Sequence, residues 1–231
     1  YHQATLTLPL GIICSIIILL VWSRTHREFN SPGRLLHRAL NKRQLCVHYQ
    51  PIIDIKNNQC VGAEALLRWP GFNGQVMSPA EFIPLAEKEG MIERITDYVV
   101  EEVFSDLGHF LAAHPDLYVS INLSASDFHS SRLIALISDK ARFYSVRAQQ
   151  IKIEVTERGF IDVPKTTPVI QAFRQAGYEV AIDDFGTGYS NLHNLYSLNV
   201  DILKIDKSFI DTLTTNSTSH LIAEHIIEMA Q

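Results

Sequence analysis

From Leu45 onward the chain alternates apolar, strand-like runs with helical stretches, and this alternation restricts the fold more than any other feature. The runs CVHYQPIIDI and CVGAEALLRW are joined by a turn-prone segment at 56–59, and LYVSINL, QIKIEVT, YEVAIDD and VDILKID follow. Helical patterns occupy 79–88, 92–113, 133–143 and 164–176 between them, with another over 219–230. Strands separated by helices pair in parallel through right-handed crossovers. In such folds the reactive residues collect at the C-terminal ends of strands. Asn122, Glu154, Asp183 and Lys204 sit at or near those ends in four successive units. A doubly wound sheet would gather its site at one crevice, so the recurrence predicts a (β/α) barrel.

The residues delivered by these runs share one chemistry. Glu64 lies in Glu-Ala-Leu, Asn122 in SINLS, Glu154 and Glu157 in IEVTE, Asp183 and Asp184 in IDDFGTG, and Lys204 and Asp206 in ILKID. Carboxylates set among Val, Ile and Leu are costly to bury unless something positive pairs with them. One lysine cannot neutralise so many acids, so bound divalent cations are the natural solution. The leading expectation is hydrolysis of a phosphate ester. Taken singly, the residues admit plainer readings: Asn122 capping a turn, Glu154 and Lys204 as a buried ion pair, Arg68 stacked on Trp69. Only their joint pattern favours the site. A net charge of −5 argues against DNA or RNA as partner, since such binders are normally basic. Cys14, Cys46 and Cys60 have no metal-ligand spacing and form no disulfide framework.

Residues 6–22 read LTLPLGIICSIIILLVW without a charge, and about 17 to 20 such residues cross a bilayer core. Arg24, His26, Arg27, Arg34, Arg38, Lys42 and Arg43 all follow it. Positive charge on that side predicts a stop-transfer helix, with everything after Trp22 in the cytoplasm. The expected organisation is a transmembrane helix over 1–23, a basic juxtamembrane linker helix over 24–44, and a hydrolase domain over 45–231. The lipid bilayer is then a partner through residues 6–22.

The motifs YQPIIDI, GAEALLRW, SPAEFIPLAE, SINLSASDF, IEVTERGF, IDDFGTGYSNL and LKIDKSFI occur together in a fixed order. In that order and spacing the chain resembles the EAL domain family of cyclic di-GMP phosphodiesterases. The resemblance implies an α/β fold with a (β/α)8, TIM-barrel-like architecture, and hydrolysis of cyclic di-GMP to linear pGpG by two-metal-assisted attack of water. It implies that Glu64, Asn122, Glu154 and Asp183 bind the first Mg²⁺ or Mn²⁺. Asp183 would bridge to a second ion that Asp184 also binds and that Asp206 supports. Lys204 would orient the water, Glu157 would steady the loop carrying Asp184, Arg68 would grip a substrate phosphate, and Gln50 would approach the ligand beside it. The alternative is a non-catalytic receptor for the dinucleotide that signals through the linker; a homodimer is compatible with both.

The segment from the apolar run through SPGRLLHRAL also resembles the subgroup carrying a cysteine-motif periplasmic sensor, which places the protein in the bacterial inner membrane with its EAL domain in the cytoplasm. The family continues into a seventh strand bearing a metal-binding glutamate. Ala223-Glu224-His225 lies in a helical pattern and does not match it. The expectation is a chain truncated at both ends, a barrel open after about strand six, and a fragment without activity of its own.

Overall fold

A computed structural model describes residues 31–71, 76–129, 131–156, 163–185 and 199–211, together with Leu19 and Trp22. The elements are α1 (Pro32–Asn41), β1 (Cys46–Asp54), β2 (Gln59–Pro70), β3 (Val76–Met77), α2 (Pro79–Lys88), α3 (Ile92–Ala113), β4 (Tyr118–Leu123), α4 (Arg132–Tyr144), β5 (Ile151–Thr156), α5 (Val163–Gln175), β6 (Glu179–Phe185), β7 (Ile202–Ile205) and α6 (Lys207–Asp211). Short 3-10 turns at Ala125–His129 and Ala148–Gln150 follow β4 and precede β5.

The sheet order is β1-β2-β4-β5-β6-β7, with β3 paired to β2 off this path. β1 and β2 form an antiparallel hairpin in which Gln50 faces Glu64 and Cys46 faces Arg68. Every later step from β2 to β7 is parallel. The sheet is therefore mixed, and its strands follow chain order as a singly wound fold requires. Its curl can be read from one contact. In a flat sheet β2 and β7, four strand spacings apart, would stand about 19 Å from each other. Lys204 Nζ on β7 nevertheless lies 3.0 Å from Glu64 Oε2 on β2. Only a strongly curled sheet, a partial barrel, permits that.

Alternation along the strands separates two faces. Val119, Ile121 and Leu123 of β4, with Ile151, Ile153 and Val155 of β5, are buried in one apolar cluster with Phe104, Ile137 and Phe173 of the helices. The intervening residues put Ser120, Asn122, Glu154 and Thr156 on the opposite face. That concave face also carries a lower layer near the strand starts. Lys152 Nζ lies 3.8 Å from the centre of the Tyr118 ring and 2.9 Å from Glu179. Gly62 pairs with Tyr118, and a Cβ there would meet the Tyr118 carbonyl oxygen at 2.6 Å. Glycine is what lets the two strands approach.

Two helix starts carry clear local signals. Pro79 opens α2, where Ser78 N–H donates to Glu81 Oε2 at 2.7 Å, the reach-back half of a capping box. Pro32 opens α1, and Leu36, Ala39 and Leu40 of that helix lie in the domain core. Among the described residues no helix is long and apolar enough to cross a membrane. The expected span at 6–22 lies outside the described residues apart from Leu19 and Trp22, and so does the helical pattern at 219–230.

Candidate active site

Three acids from three strands converge on one ammonium. Lys204 Nζ lies 3.0 Å from Glu64, 2.6 Å from Glu154 and 3.0 Å from Asp183. The Asn122 amide donates to the other oxygen of Glu64 at 2.9 Å. The sheet register explains the meeting: Asn122 faces Glu154 across β4–β5, and Thr156 faces Asp183 across β5–β6. Glu64, Glu154 and Asp183 each offer an oxygen within 4.8 Å of the others, a spacing that suits a shared divalent cation.

The electrostatics of this cluster are unbalanced. Burial raises the Glu154 carboxyl above its ordinary range; Lys204 opposes that shift and Glu64 adds to it. For Lys204, burial works to lower the pKa, but Glu154, Asp183 and Glu64 outweigh it and hold the ammonium charged far up the pH scale. Three carboxylates against one ammonium still leave two negative charges in a largely enclosed space. Asp184 is exposed, yet burial of its carboxyl, followed by the charges of Asp183 and Asp206, raises its pKa as well. Asp184 has φ +54°, and the β6–β7 register slips between Ile182 and Phe185. This irregularity interrupts the strict alternation that would send Asp183 and Asp184 to opposite faces.

The remaining expected residues lie further out. Gln50 is exposed and directly opposite Glu64. Arg68 shares the face of Glu64 two alternations along β2, where its guanidinium donates to the Leu67 carbonyl at 2.9 Å. Trp69 packs edge-on against Phe82, 5.9 Å between ring centres. Asp206 accepts from the Ser208 backbone N–H at 2.9 Å and from its hydroxyl, and these bonds lower its pKa. It thereby caps α6 at the end of β7. Glu157 and the loop after Phe185 lie outside the described residues.

Two groups escaped the sequence reading. The Lys152–Tyr118–Glu179 layer was detectable, because Lys152 alternates with Glu154 and Glu179 with Asp183. The second is a buried polar knot behind β4. Asp127, 3% exposed, accepts from Ser124 N–H, Ser124 Oγ and Thr96 Oγ1, each at 2.9 Å. Its α3 partner lies 31 residues away in sequence, and no local pattern announces it.

The EAL domain family model matches residues 34–231. The probable cyclic di-GMP phosphodiesterase PdeB of Escherichia coli is 43% identical over the whole chain, which spans 44% of that protein. The cyclic di-GMP phosphodiesterase NbdA of Pseudomonas aeruginosa is 36% identical over 85% of this chain and 25% of its own length. The chain thus spans less than half of these curated relatives. Among solved structures, the PaMucR phosphodiesterase in complex with c-di-GMP superposes with a TM-score of 0.76 at 35% identity, covering 84% of this chain and 79% of that one.

Proposed function

The chain belongs to the EAL domain family; on that premise we propose that the protein hydrolyses cyclic di-GMP to linear pGpG. The observation that carries the proposal is the convergence of Glu64, Glu154 and Asp183 on Lys204. Their surplus of negative charge fits divalent cations. Glu64, Asn122, Glu154 and Asp183 would hold one Mg²⁺ or Mn²⁺, and Asp183, Asp184 and Asp206 a second. When bound, such ions supply positive charge that makes water a better nucleophile and offsets charge developing on phosphate.

The chain's own residues do the rest. Lys204 carries three N–H donors on one charged centre and orients the attacking water while neutralising charge. Arg68 presents a planar fork that matches phosphate oxygens, and Gln50, opposite Glu64, reaches the ligand beside it. Glu157 steadies the loop that follows Asp184. In the reaction water adds to phosphorus, one P–O ester bond breaks, and the departing ribose oxygen takes up a proton. We read the curled sheet as part of an eight-stranded (β/α) barrel that places this face in its mouth. We read residues 6–22 as a span of the bacterial inner membrane, with the domain on the cytoplasmic side.

Incubating cyclic di-GMP and Mg²⁺ or Mn²⁺ with a protein that carries this domain together with the family's seventh strand, and separating products by chromatography, tests the reading. pGpG is expected, and Glu64→Ala should reduce its rate by roughly 100-fold or more through loss of a metal ligand. Ca²⁺, which takes looser coordination, should not support turnover. Tight binding without pGpG would replace the enzyme with a dinucleotide receptor. Full activity of the Glu64→Ala variant would sink the metal assignment.

A further inference from the structure

Asn122 is the penultimate residue of β4, and after Leu123 the chain leaves the strand through Ser124 into the 3-10 turn at Ala125–His129. Something must hold that exit, because the Asn122 amide reaches Glu64 across the mouth of the sheet. Asp127 does so. One carboxylate oxygen gathers both the backbone N–H and the hydroxyl of Ser124, together with the Thr96 hydroxyl of α3. Thr96 is itself 4% exposed, and its single hydroxyl proton lies between Asp127 Oδ2 at 2.9 Å and the Ile92 carbonyl at 3.2 Å. The other oxygen, Oδ1, is buried with no hydrogen-bond partner among the described residues. Arg132, which faces the knot from α4, is bound to Asp97 of α3. A carboxylate kept in so dry a place is costly for stability alone, since apolar residues of similar volume would pack there at less expense.

We infer that Asp127 is a positioning residue for metal binding: through Ser124 it locks the end of β4 so that Asn122 presents its amide beside Glu64. The inference rests on the metal assignment above. Its logic is that of outer-shell groups, which orient ligands they do not replace, and whose loss typically weakens metal binding by about 10- to 100-fold. Asp127 touches neither substrate nor metal in this scheme, so its effect should fall on cation affinity.

The test titrates the whole protein with Mn²⁺ and follows free Mn²⁺ by electron paramagnetic resonance, alongside thermal unfolding. Asp127→Ala should weaken the tighter Mn²⁺ site by about tenfold or more. Thr96→Val, which keeps shape and removes one of the three donors, should weaken it severalfold. Asp127→Asn, which retains an acceptor for Ser124, should recover most of the affinity. In activity assays the Asp127→Ala rate should return at high Mn²⁺, with KM for cyclic di-GMP unchanged. Variants that bind Mn²⁺ as wild type while melting earlier would overturn the inference and leave Asp127 a stability residue. If Asp127→Ala does not fold, unaltered Mn²⁺ affinity in Thr96→Val overturns it equally. Wild type that binds no Mn²⁺ would remove the metal assignment itself and the inference with it, a result distinct from both.

Discussion

Lys204 is the residue on which the charge balance turns. Its side chain is 28% exposed while that of Glu154 is 3% exposed, so the ammonium acts as the counter-ion for an acid whose pKa burial raises. Removing one partner of a buried pair typically costs about 3 to 5 kcal/mol. Lys204→Met should therefore destabilise the metal-free protein by roughly 3 kcal/mol at neutral pH, the lower end because water reaches the lysine. The pH dependence has a definite sign. A carboxyl whose folded pKa is raised binds its proton more tightly when folded, so stability increases as pH falls through that pKa. Without Lys204 the Glu154 pKa rises further, and the deficit of the variant should shrink as pH is lowered from neutral into the mildly acidic range. Lysine works in the opposite region: its raised pKa contributes stability that is full below its unfolded value and fades only as strongly alkaline pH approaches its folded one. Urea unfolding of both proteins in chelator, across pH, measures this. A deficit that grows on acidification would refute the charge assignment. Divalent cation added back at neutral pH should stabilise the variant, since it supplies the missing positive charge.

At the scale of elements, the strands and helices of the domain were largely legible because their periods differ. Alternation in SINLS and IKIEVT separates core from site, and α3 carries apolar residues at helical spacing over its whole length. Most of the candidate site residues were legible for the same reason: Asn122, Glu154, Asp183 and Lys204 stand at or near strand ends, while Glu64 lies midway along β2 and is brought to them by the parallel register and the curl of the sheet. β3, two residues long and attached only to the end of β2, is too short for any periodic signal. The knot around Asp127 depends on a contact between α3 and a turn, which sequence order does not encode. α1 is the instructive case. Its basic residues read as a juxtamembrane linker over 24–44, outside the domain at 45–231, but Leu36, Ala39 and Leu40 form a narrow buried stripe, and Leu36 is fully buried. Arg94 of α3 donates to Asn41 at 2.7 Å, and Arg43, just past the helix, binds Glu101 and Glu102 and lies over the Tyr98 ring. α1 is thus packed as a part of the domain. Leu36→Ala should cost about 2 to 5 kcal/mol in urea unfolding, as for a core leucine; a loss under about 0.5 kcal/mol would mean that the helix is only draped on the surface.

At the scale of the whole molecule, the packing of α1 bears on where the domain sits. Arg34, Arg38 and Lys42 recur at four-residue spacing on its exposed side, while Leu36 and Leu40 face inward. A helix seated in this way couples the uncharged run at 6–22 to the domain through very few residues, so the domain would be held close to any bilayer that the run crosses. The protein as a whole is acidic, at −5, so the basic side of α1 and the preceding Arg24 and Arg27 set the local sign there. Positive charge flanking an apolar segment on one side only keeps that side in the cytoplasm, and anionic lipid headgroups attract the same residues. The proposed hydrolysis of cyclic di-GMP would require this orientation, because its site must open to the compartment that holds the nucleotide. A fusion of alkaline phosphatase after Arg27 should therefore be inactive, while a green fluorescent protein fused at the same point should fluoresce. Replacing Arg24, Arg27, Arg34 and Arg38 together with Glu should weaken that bias and raise the phosphatase signal of a longer fusion made after Arg43. A strong phosphatase signal from the unmodified Arg27 fusion would place the acids around Lys204 on the wrong side of the membrane for their proposed substrate.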